Sequence, residues 1–174
     1  SPHCGGSLGR TEATGRGLGV IINYMIQENY PFNLLENDQC IIKLEGLGNV
    51  GYYLSNYLNQ QNQEKNIYLI KYISDHTGYY EIDYNNSNNI ESLNEILYFQ
   101  KNYKSLQNIQ NENLKCSVIK ITENDFLQGH CNIFIPAALE LTIQEKQAKL
   151  LNCDLIVEGS NGPISDEAEK ILKN

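Results

Sequence analysis

Residues 41–51, with the sequence Ile-Ile-Lys-Leu-Glu-Gly-Leu-Gly-Asn-Val-Gly, constrain the fold more than any other stretch. The apolar run at its start predicts a buried strand, and it leads directly into three glycines spaced G-x-G-x-x-G. From Val50 to Leu58, apolar residues then repeat at helical spacing. A glycine motif between a strand and a helix is typical of the turn that binds the pyrophosphate of a dinucleotide, although a glycine turn in another kind of α/β protein is the alternative.

Each glycine of the motif has its own physical role. Gly46 permits the tight turn off the strand, Gly48 lets the backbone approach a pyrophosphate closely, and Gly51 lets the helix pack close to the sheet. The anion would lie on the free N–H groups at the helix N-terminus, where the helix dipole favours negative charge. We therefore expect a phosphate-binding turn at residues 46–51.

A motif of this type also requires an acidic residue about 20 positions further on, at the end of the second strand. The apolar residues 67–73 predict that strand, and Asp75 follows it. Its carboxylate would accept hydrogen bonds from the adenosine ribose and repel the 2′-phosphate of NADP. No Lys or Arg lies between Asp75 and Tyr84, so we expect NAD to bind about a hundredfold more tightly than NADP. In the alternative interpretation, Asp75 caps the turn at Gly78 or faces solvent.

The remaining patterns alternate between strands and helices. This order predicts an α/β fold with a Rossmann-like, doubly wound, mostly parallel sheet and helices on both faces. Residues 76–89 are interpreted as an irregular excursion with a short hairpin, and residues 101–114 either extend a helix or form a polar linker. Helix starts are predicted at Thr142 and Ser165. Because ligands bind beyond the carboxyl ends of parallel strands, function is expected in the loops at residues 46–51, 74–78, 136–140 and 158–163.

The composition fits one domain and argues against several classes of partner. The 174 residues carry a net charge of −8 and contain no basic run, which argues against nucleic acid. No apolar run approaches the roughly 18 residues of a membrane-spanning helix, and the N-terminal residues show no secretory signal pattern. We therefore expect an intracellular protein, located in the cytoplasm or in mitochondria, with no membrane partner.

The cysteines and histidines suggest no further chemistry. The five cysteines are dispersed and form no C-x-x-C pair, as expected in a reducing compartment. Cys131 and Cys153 adjoin apolar strand residues and are interpreted as small core residues. His3-Cys4 and His130-Cys131 lack the spacing of about two to four residues that metal ligands show. We expect no metal site and, because no nucleophile pattern is present, no catalytic residue.

Four stretches resemble glutamate dehydrogenases. Residues 5–17, GGSLGRTEATGRG, resemble the family stretch GGSxGRxxATGRG, and residues 46–51, GLGNVG, are similar to GFGNVG. Residues 133–140, IFIPAALE, resemble ILIPAAxE, and residues 158–163, EGSNGP, resemble EGANGP. The four stretches occur in family order and span nearly the whole chain, which is far more specific than one glycine motif.

The resemblance implies the cofactor-binding domain of a glutamate dehydrogenase, an oxidoreductase of amino-acid metabolism. Such an enzyme converts L-glutamate and NAD(P)⁺ into 2-oxoglutarate, ammonia and reduced cofactor. Matched residue by residue, Arg10 and Thr14 would lie near the nicotinamide end of the cofactor. Asn49 and Val50 would meet the pyrophosphate and the adjoining ribose. The other cofactor-binding residues that we expect are Ala137, Ala138 and Asn161 on the nicotinamide-ribose side, together with Gly46, Gly48, Gly51 and Asp75.

Some features depart from the family pattern or lie outside it. The family often has Asp where Asn132 stands and Asn where Leu141 stands. Its catalytic lysine and aspartate belong to a substrate domain that would precede Ser1, and its return segment would follow Asn174. We therefore expect residues 1–174 to be a single NAD(P)-binding domain from a larger enzyme, inactive alone and part of a homo-hexamer at full length.

Three other interpretations remain open. The chain could be a dinucleotide-binding module without chemistry, the cofactor domain of a leucine, phenylalanine or valine dehydrogenase, or a nucleotide-dependent methyltransferase. A methyltransferase would not need the loops at residues 133–140 and 158–163. Among the amino-acid dehydrogenases, the sequence GRTEATGRG at residues 9–17 favours an enzyme whose substrate is glutamate.

Overall fold

The computed structural model describes residues 10–139 and 141–173, which contain a six-stranded sheet in the order β4-β3-β2-β1-β5-β6. The strands are β1 (Cys40–Glu45), β2 (Tyr68–Asp75), β3 (Gly78–Asp83), β4 (Ser117–Ile121), β5 (Cys131–Pro136) and β6 (Cys153–Ile156). The helices are α1 (Arg10–Glu28), α2 (Asn49–Gln61), α3 (Asn89–Tyr103), α4 (Glu123–Gln128), α5 (Glu145–Leu150) and α6 (Asp166–Leu172). A short 3-10 helix, Ile109–Asn111, follows α3.

Strand β1 lies at the centre of a parallel region. It pairs in parallel with β2 on one side and with β5 on the other, and β5 pairs in parallel with β6. Ile42 and Leu44 on one face of β1 and Lys43 on the other are fully buried, as expected of a strand that is covered on both faces. The prediction of a doubly wound, mostly parallel α/β sheet is confirmed. The carboxyl ends of β1, β2, β5 and β6 consequently share one edge of the sheet.

Helices cover both faces of the sheet, and each face has its own apolar cluster. Neighbouring residues of a strand point to opposite faces, and Ile133 and Phe134 of β5 accordingly belong to different clusters. The Ile133 cluster includes Leu54 of α2 and Ile96 of α3. The Phe134 cluster includes Phe126 of α4. With both faces occupied by helices, the loops at the strand ends are left for binding.

The excursion predicted at residues 76–89 contains a full strand of the sheet. Strand β3 pairs antiparallel with β2, and β4 pairs antiparallel with β3. Gly78 permits the reversal because its φ of +145° is open to glycine but strained for other residues. Tyr80 and Ile82 are buried at alternate positions of β3, the spacing expected of a strand. The asparagine-rich flanks concealed this short alternating pattern in the sequence.

The segment at residues 101–114 begins as the predicted extension of the helix, but the rest of it is not the predicted polar linker. Helix α3 continues to Tyr103, and Lys104 ends it in the left-handed conformation, with φ at 56°. Leu106 and Ile109 are then fully buried. This segment therefore packs against the core and is not a free linker.

Of the two predicted helix starts, one is confirmed and the other is wrong. The Ser165 hydroxyl accepts a hydrogen bond from the N–H of Ala168 at 3.2 Å, as an N-cap should. Helix α5, however, has Gln144 as its N-cap, not Thr142. The Thr142 hydroxyl instead donates a hydrogen bond to the carboxylate of Glu45 at 2.8 Å. A buried acceptor far away in the sequence thus replaces the local one.

The described residues contain neither a candidate membrane span nor a candidate metal cluster. No described helix combines the length and the apolar character that crossing a bilayer requires. Within residues 10–139 and 141–173, no three His, Cys, Asp or Glu side chains converge in a way that would hold a metal ion. His3 and Cys4, which the sequence analysis considered as metal ligands, lie outside the described residues.

Candidate functional site

The glycine turn follows the carboxyl end of β1 directly. Gly46 has a φ of +95°, and a Cβ added there would lie 2.8 Å from the backbone nitrogen of Ala138. The N–H of Gly46 donates to the carbonyl and the hydroxyl of Ser74 at 3.2 and 3.1 Å, and the N–H of Leu47 donates to the same carbonyl at 2.8 Å. The turn is therefore fastened to the end of β2 and requires glycine at its first position.

The other two glycines of the motif have opposite surroundings. A Cβ added to Gly51 would lie 2.1 Å from the carbonyl oxygen of Gly46, whereas one added to Gly48 would meet nothing within 4 Å. Gly48 is the N-cap of α2 and has no side chain to cap the helix. The first N–H groups of a helix have no acceptor within the helix. The space beside Gly48 can therefore hold an anion.

Two cavities meet along the carboxyl edge of the sheet. The first measures about 650 Å³ and the second about 670 Å³. They share the loop at residues 137–139, which follows β5. The residues of the first cavity that the sequence analysis singled out are Gly46, Gly48, Asp75, Ala137 and Ala138. Those of the second cavity are Thr14, Val50, Ala137, Ala138 and Asn161.

Two of the predicted site residues, Asn49 and Gly51, line neither of these two cavities. Asn49 lines a third cavity of about 380 Å³ together with Gly48. Gly51 packs under the turn, where it makes room for the carbonyl of Gly46. Arg10 begins α1, but its side chain lies outside the described part of the chain. The structure thus brings nearly all of the predicted residues to one edge of the sheet.

The carboxylate of Asp75 is engaged by the protein itself. Its Oδ1 accepts hydrogen bonds from the N–H and the hydroxyl of Thr77, the former at 2.8 Å, and its Oδ2 accepts one from the N–H of Leu106 at 2.5 Å. Asp75 therefore holds the β2–β3 turn against the segment that follows α3. It also lines the first cavity, so the residue has a structural role at the edge of the candidate site.

Two residues from the end of α3 complete this edge, and the sequence analysis did not identify them. Lys104 lines both the first and the third cavity. Gln100 lines both cavities as well, and its amide donates a hydrogen bond to the carbonyl of Leu47 at 2.7 Å. Within the described residues no carboxylate forms an ion pair with Lys104. Its only sequence signal is that it ends a helix, so its place in the site emerges from packing.

Glu45, at the end of β1, was also missed. Glu45 lines the first cavity, yet only 7% of the surface of this residue is exposed. Burial raises the pKa of this carboxyl, and repulsion from Glu123 acts in the same direction, whereas the hydrogen bond from Thr142 opposes both. The protonation state of Glu45 therefore affects the stability of the fold and the charge of the cavity.

We expect Glu45→Gln to be more favourable for stability at pH 8 than at pH 5. Between the ordinary value of 4.5 and the raised pKa, the folded state binds more protons than the unfolded state, so stability falls as pH rises through that window. An amide avoids this loss and keeps an oxygen that accepts from Thr142. Urea unfolding at both pH values should show the difference, within the roughly 0.5–3 kcal/mol that point changes produce.

The matched control for this prediction is Glu64→Gln. Glu64 is exposed, so its replacement measures, at each pH, the effect of removing a carboxylate from the protein surface. An effect of Glu45→Gln that is the same at both pH values would show that the Glu45 carboxyl titrates alike in the folded and unfolded states.

Comparison with known proteins places these features in one family. The model of the glutamate/leucine/phenylalanine/valine dehydrogenases matches residues 5–174. The NAD-specific glutamate dehydrogenase of Peptoniphilus asaccharolyticus is 30% identical over 168 residues, which cover 97% of this chain and 36% of that protein. The chain thus spans about a third of the length of the curated relatives it matches.

Solved structures show the same fold. The glutamate dehydrogenase of Plasmodium falciparum matches with a TM-score of 0.71 at 24% identity, over 99% of this chain and 35% of that one. A hetero-hexameric glutamate dehydrogenase from Thermus thermophilus matches with a TM-score of 0.68 at 19% identity, over 97% of this chain and 35% of that one. At these identities, the structural likeness supports the architecture of the sheet and its helices.

Proposed function

Because the chain belongs to the glutamate/leucine/phenylalanine/valine dehydrogenase family, we propose that residues 1–174 form the dinucleotide-binding domain of a longer, NAD-dependent glutamate dehydrogenase. One observation carries this proposal. The turn at residues 46–51 joins the central parallel strand to α2 and leaves open space beside Gly48, at the helix N-terminus. That arrangement suits a pyrophosphate, which needs close backbone approach and unpaired N–H donors.

In this proposal each of the two cavities binds one half of the dinucleotide. The first, with Asp75 and Lys104, holds the adenosine half, and the second, with Thr14 and Asn161, holds the nicotinamide half. When bound, the nicotinamide ring supplies the hydride chemistry of the family. The chain's own residues bind and orient it: the N–H groups of α2 hold the charge, and the loop at residues 137–139 separates the two halves. In the full-length enzyme, L-glutamate would be oxidised to 2-oxoglutarate and ammonia.

Calorimetric titration of residues 1–174 with NAD⁺ tests this proposal. We expect saturable binding at one site. We also expect no glutamate-dependent reduction of NAD⁺ by the same preparation, because the lining of the second cavity contains no Lys, His, Asp or Glu in the described residues. Orienting the substrate supplies about 7–11 kcal/mol of such barriers, and the described lining of this cavity has no charged group to position a carboxylate and no base to remove a proton.

The outcomes separate the parts of the proposal. Absence of NAD⁺ binding would contradict the dinucleotide site itself. Binding together with glutamate-dependent activity would contradict the assignment of catalysis to another domain.

We also propose that the full-length protein is a hexamer built from copies of this one chain. A structural relative is described as hexameric, although that hexamer is a hetero-hexamer. Light scattering of the full-length protein tests this, and a monomeric mass would contradict it.

We propose that the site prefers NAD to NADP, by about tenfold. Two carboxyls, of Asp75 and Glu45, line the first cavity, and one ammonium, of Lys104, opposes them. Two unit charges at 4 Å interact by about 4 kcal/mol at an effective dielectric of 20. The opposite charge of Lys104 and screening by salt reduce the net repulsion of a 2′-phosphate to about 1.4 kcal/mol, which is about tenfold. This tenfold preference for NAD over NADP is smaller than the hundredfold preference expected from the charge of Asp75 alone.

Two charge-removing variants test this preference. Lys104→Gln should increase the ratio of NADP to NAD dissociation constants several-fold, and Asp75→Asn should lower it. Asparagine keeps an oxygen for Thr77 but loses one of the two acceptors, so the unfolding free energy of Asp75→Asn must be measured alongside. Titrations at one fixed salt concentration give both ratios. If neither ratio changes, the 2′-phosphate does not lie at this edge of the first cavity.

A further inference from the structure

Cys131 and Cys153 face each other across the β5–β6 edge of the sheet. Each begins its strand, and the two are paired Cα partners in the parallel register. Neighbouring strands lie about 4.7–4.9 Å apart, and disulfides form between Cα atoms separated by about 4.4–6.8 Å. The backbone spacing is therefore compatible with a disulfide between them.

The surroundings of the two thiols make them unequal. Interaction with Cys153 and burial raise the pKa of the Cys131 thiol, whereas interaction with Cys131 lowers the pKa of the Cys153 thiol and burial opposes that decrease. The amine of Lys43, which donates to the carbonyls of Leu127 and Gly129 at 3.0 and 2.5 Å, lowers both pKa values, whereas Asp154 raises both. Cys153 is thus the better thiolate.

Exposure assigns the two thiols different roles. Cys153 lies on the edge strand and is partly exposed, whereas Cys131 is fully buried. The Cys131 thiol points towards the carbonyl of Asn152, at 3.7 Å from Sγ to O, directly beside Cys153. A reagent from solvent can reach Cys153 first, and Cys131 is then positioned behind it.

The other described cysteines lack these features. Cys40 and Cys116 are buried, and no thiol partner contacts either. Burial raises the pKa of the Cys40 thiol to about 12, which leaves almost no thiolate at neutral pH. No metal-binding cluster involves Cys131 or Cys153 among the described residues. The pair is therefore chemically distinct within residues 10–139 and 141–173.

We propose that Cys131 and Cys153 are a redox-active thiol pair that hydrogen peroxide converts into an intrachain disulfide. The Cys153 thiolate attacks one peroxide oxygen, the O–O bond breaks, and the departing hydroxide takes a proton to leave as water. Cys153 is then a sulfenic acid. The Cys131 thiol attacks its sulfur, the S–O bond breaks, and a second water leaves with the thiol proton. Two thiols lose two electrons in total, and one peroxide gains them.

The disulfide would join the starts of two strands whose far ends support the candidate site. Strand β5 leads to the loop at residues 137–139, and β6 leads to Gly159, Ser160 and Asn161, all of which line the second cavity. The bond closes a loop over residues 131–153 and fixes the edge strand to its neighbour. This modification is independent of the proposed dinucleotide function, because the thiols lie at the opposite ends of these strands.

Peptide mapping of the folded protein after brief peroxide treatment tests the proposal, in a Cys4→Ser background so that the thiol outside the described residues does not compete. Cleavage after Lys and Arg places Cys131 in the peptide 121–146 and Cys153 in the peptide 150–170. We expect these two peptides to be joined, with a loss of two hydrogen atoms that dithiothreitol reverses. Circular dichroism confirms that the protein stays folded throughout.

Three variants identify the order of the steps. Cys153→Ser should abolish the reaction and leave Cys131 reduced. Cys131→Ser should stop it at a sulfenic acid on Cys153, which dimedone traps. Cys116→Ser, which removes an isolated buried thiol, should still form the linked peptides. The proposal is overturned if the folded protein keeps all its thiols, if Cys153 is oxidised to the sulfinic acid with no link, or if the link joins Cys40 or Cys116.

Discussion

Gly48→Val is expected to abolish dinucleotide binding while the domain stays folded. The backbone at Gly48 has φ −81° and ψ −158°, an extended conformation that a β-branched residue adopts without strain. A Cβ added there meets no atom within 4 Å. The valine side chain would therefore occupy only the space in which the pyrophosphate is proposed to lie.

The expected loss of affinity is large because the valine side chain would prevent the pyrophosphate from reaching the N–H groups of α2. The methyl groups would hold the anion away from the N–H groups of α2, so the dissociation constant for NAD⁺ should rise at least about a hundredfold, or about 2.7 kcal/mol. Valine is a poorer N-cap than glycine, and the unfolding free energy should fall by no more than about 1 kcal/mol. Calorimetric titration and urea unfolding measure the two effects separately.

Gly17→Val is the matched control. Gly17 lies on α1, and a Cβ added there also meets nothing within 4 Å, but none of the cavities described above includes it. The same substitution should leave NAD⁺ affinity unchanged. Wild-type affinity in Gly48→Val would remove the glycine turn from the binding site.

Gly51→Val is expected to cause a large loss of stability, whereas Gly48→Val mainly reduces binding. A Cβ at this position would lie 2.1 Å from the carbonyl oxygen of Gly46 and 3.3 Å from Cδ2 of Leu44. The first contact is to backbone, which is itself held by the hydrogen bonds from Gly46 and Leu47 to Ser74. Neither side can move without separating α2 from the sheet.

Overpacking of a core usually costs about 1–3 kcal/mol, and this clash with fastened backbone should reach about 3–5 kcal/mol. Urea unfolding should show a much lower midpoint at an unchanged slope, since the surface exposed on unfolding is similar. Gly48→Val, three residues away, provides the comparison. Equal stability of the two variants would mean that Gly51 does not pack under the turn as described.

Strand β1, the glycine turn and the start of α2 could be predicted from the sequence because the residues that form them are adjacent in the chain. Residues 41–51 contain the apolar run, the three glycines and the helix start within one short segment, and each glycine answers a constraint from its immediate neighbours. The positive φ at Gly46 and the close approach at Gly51 follow the sequence interpretation directly. The four family-like stretches extended this reasoning to the loops that follow β5 and β6.

The interactions of the acidic residues were not predictable in the same way. Glu45 and Thr142 are 97 positions apart, and Asp75 and Leu106 are 31 apart. No periodicity or capping motif encodes such pairs, because the packing of separate elements decides which hydrogen-bond partners meet. Thr142 therefore looked like a local helix cap, and the sequence offered Asp75 as a ribose acceptor or as a cap of the turn at Gly78, with no sign of Leu106 as its partner.

What the sequence alone determined is most of the order of strands and helices, the parallel centre of the sheet and the glycine turn, since backbone sterics and hydrophobic periodicity act over short segments. Only the tertiary structure decided that Lys104 lines the first cavity, that β3 lies in the sheet between β2 and β4, and that Cys131 faces Cys153. Each of these depends on the register or packing of elements that are distant in the chain. The hydrophobic effect drives their burial without specifying which polar and thiol groups come together.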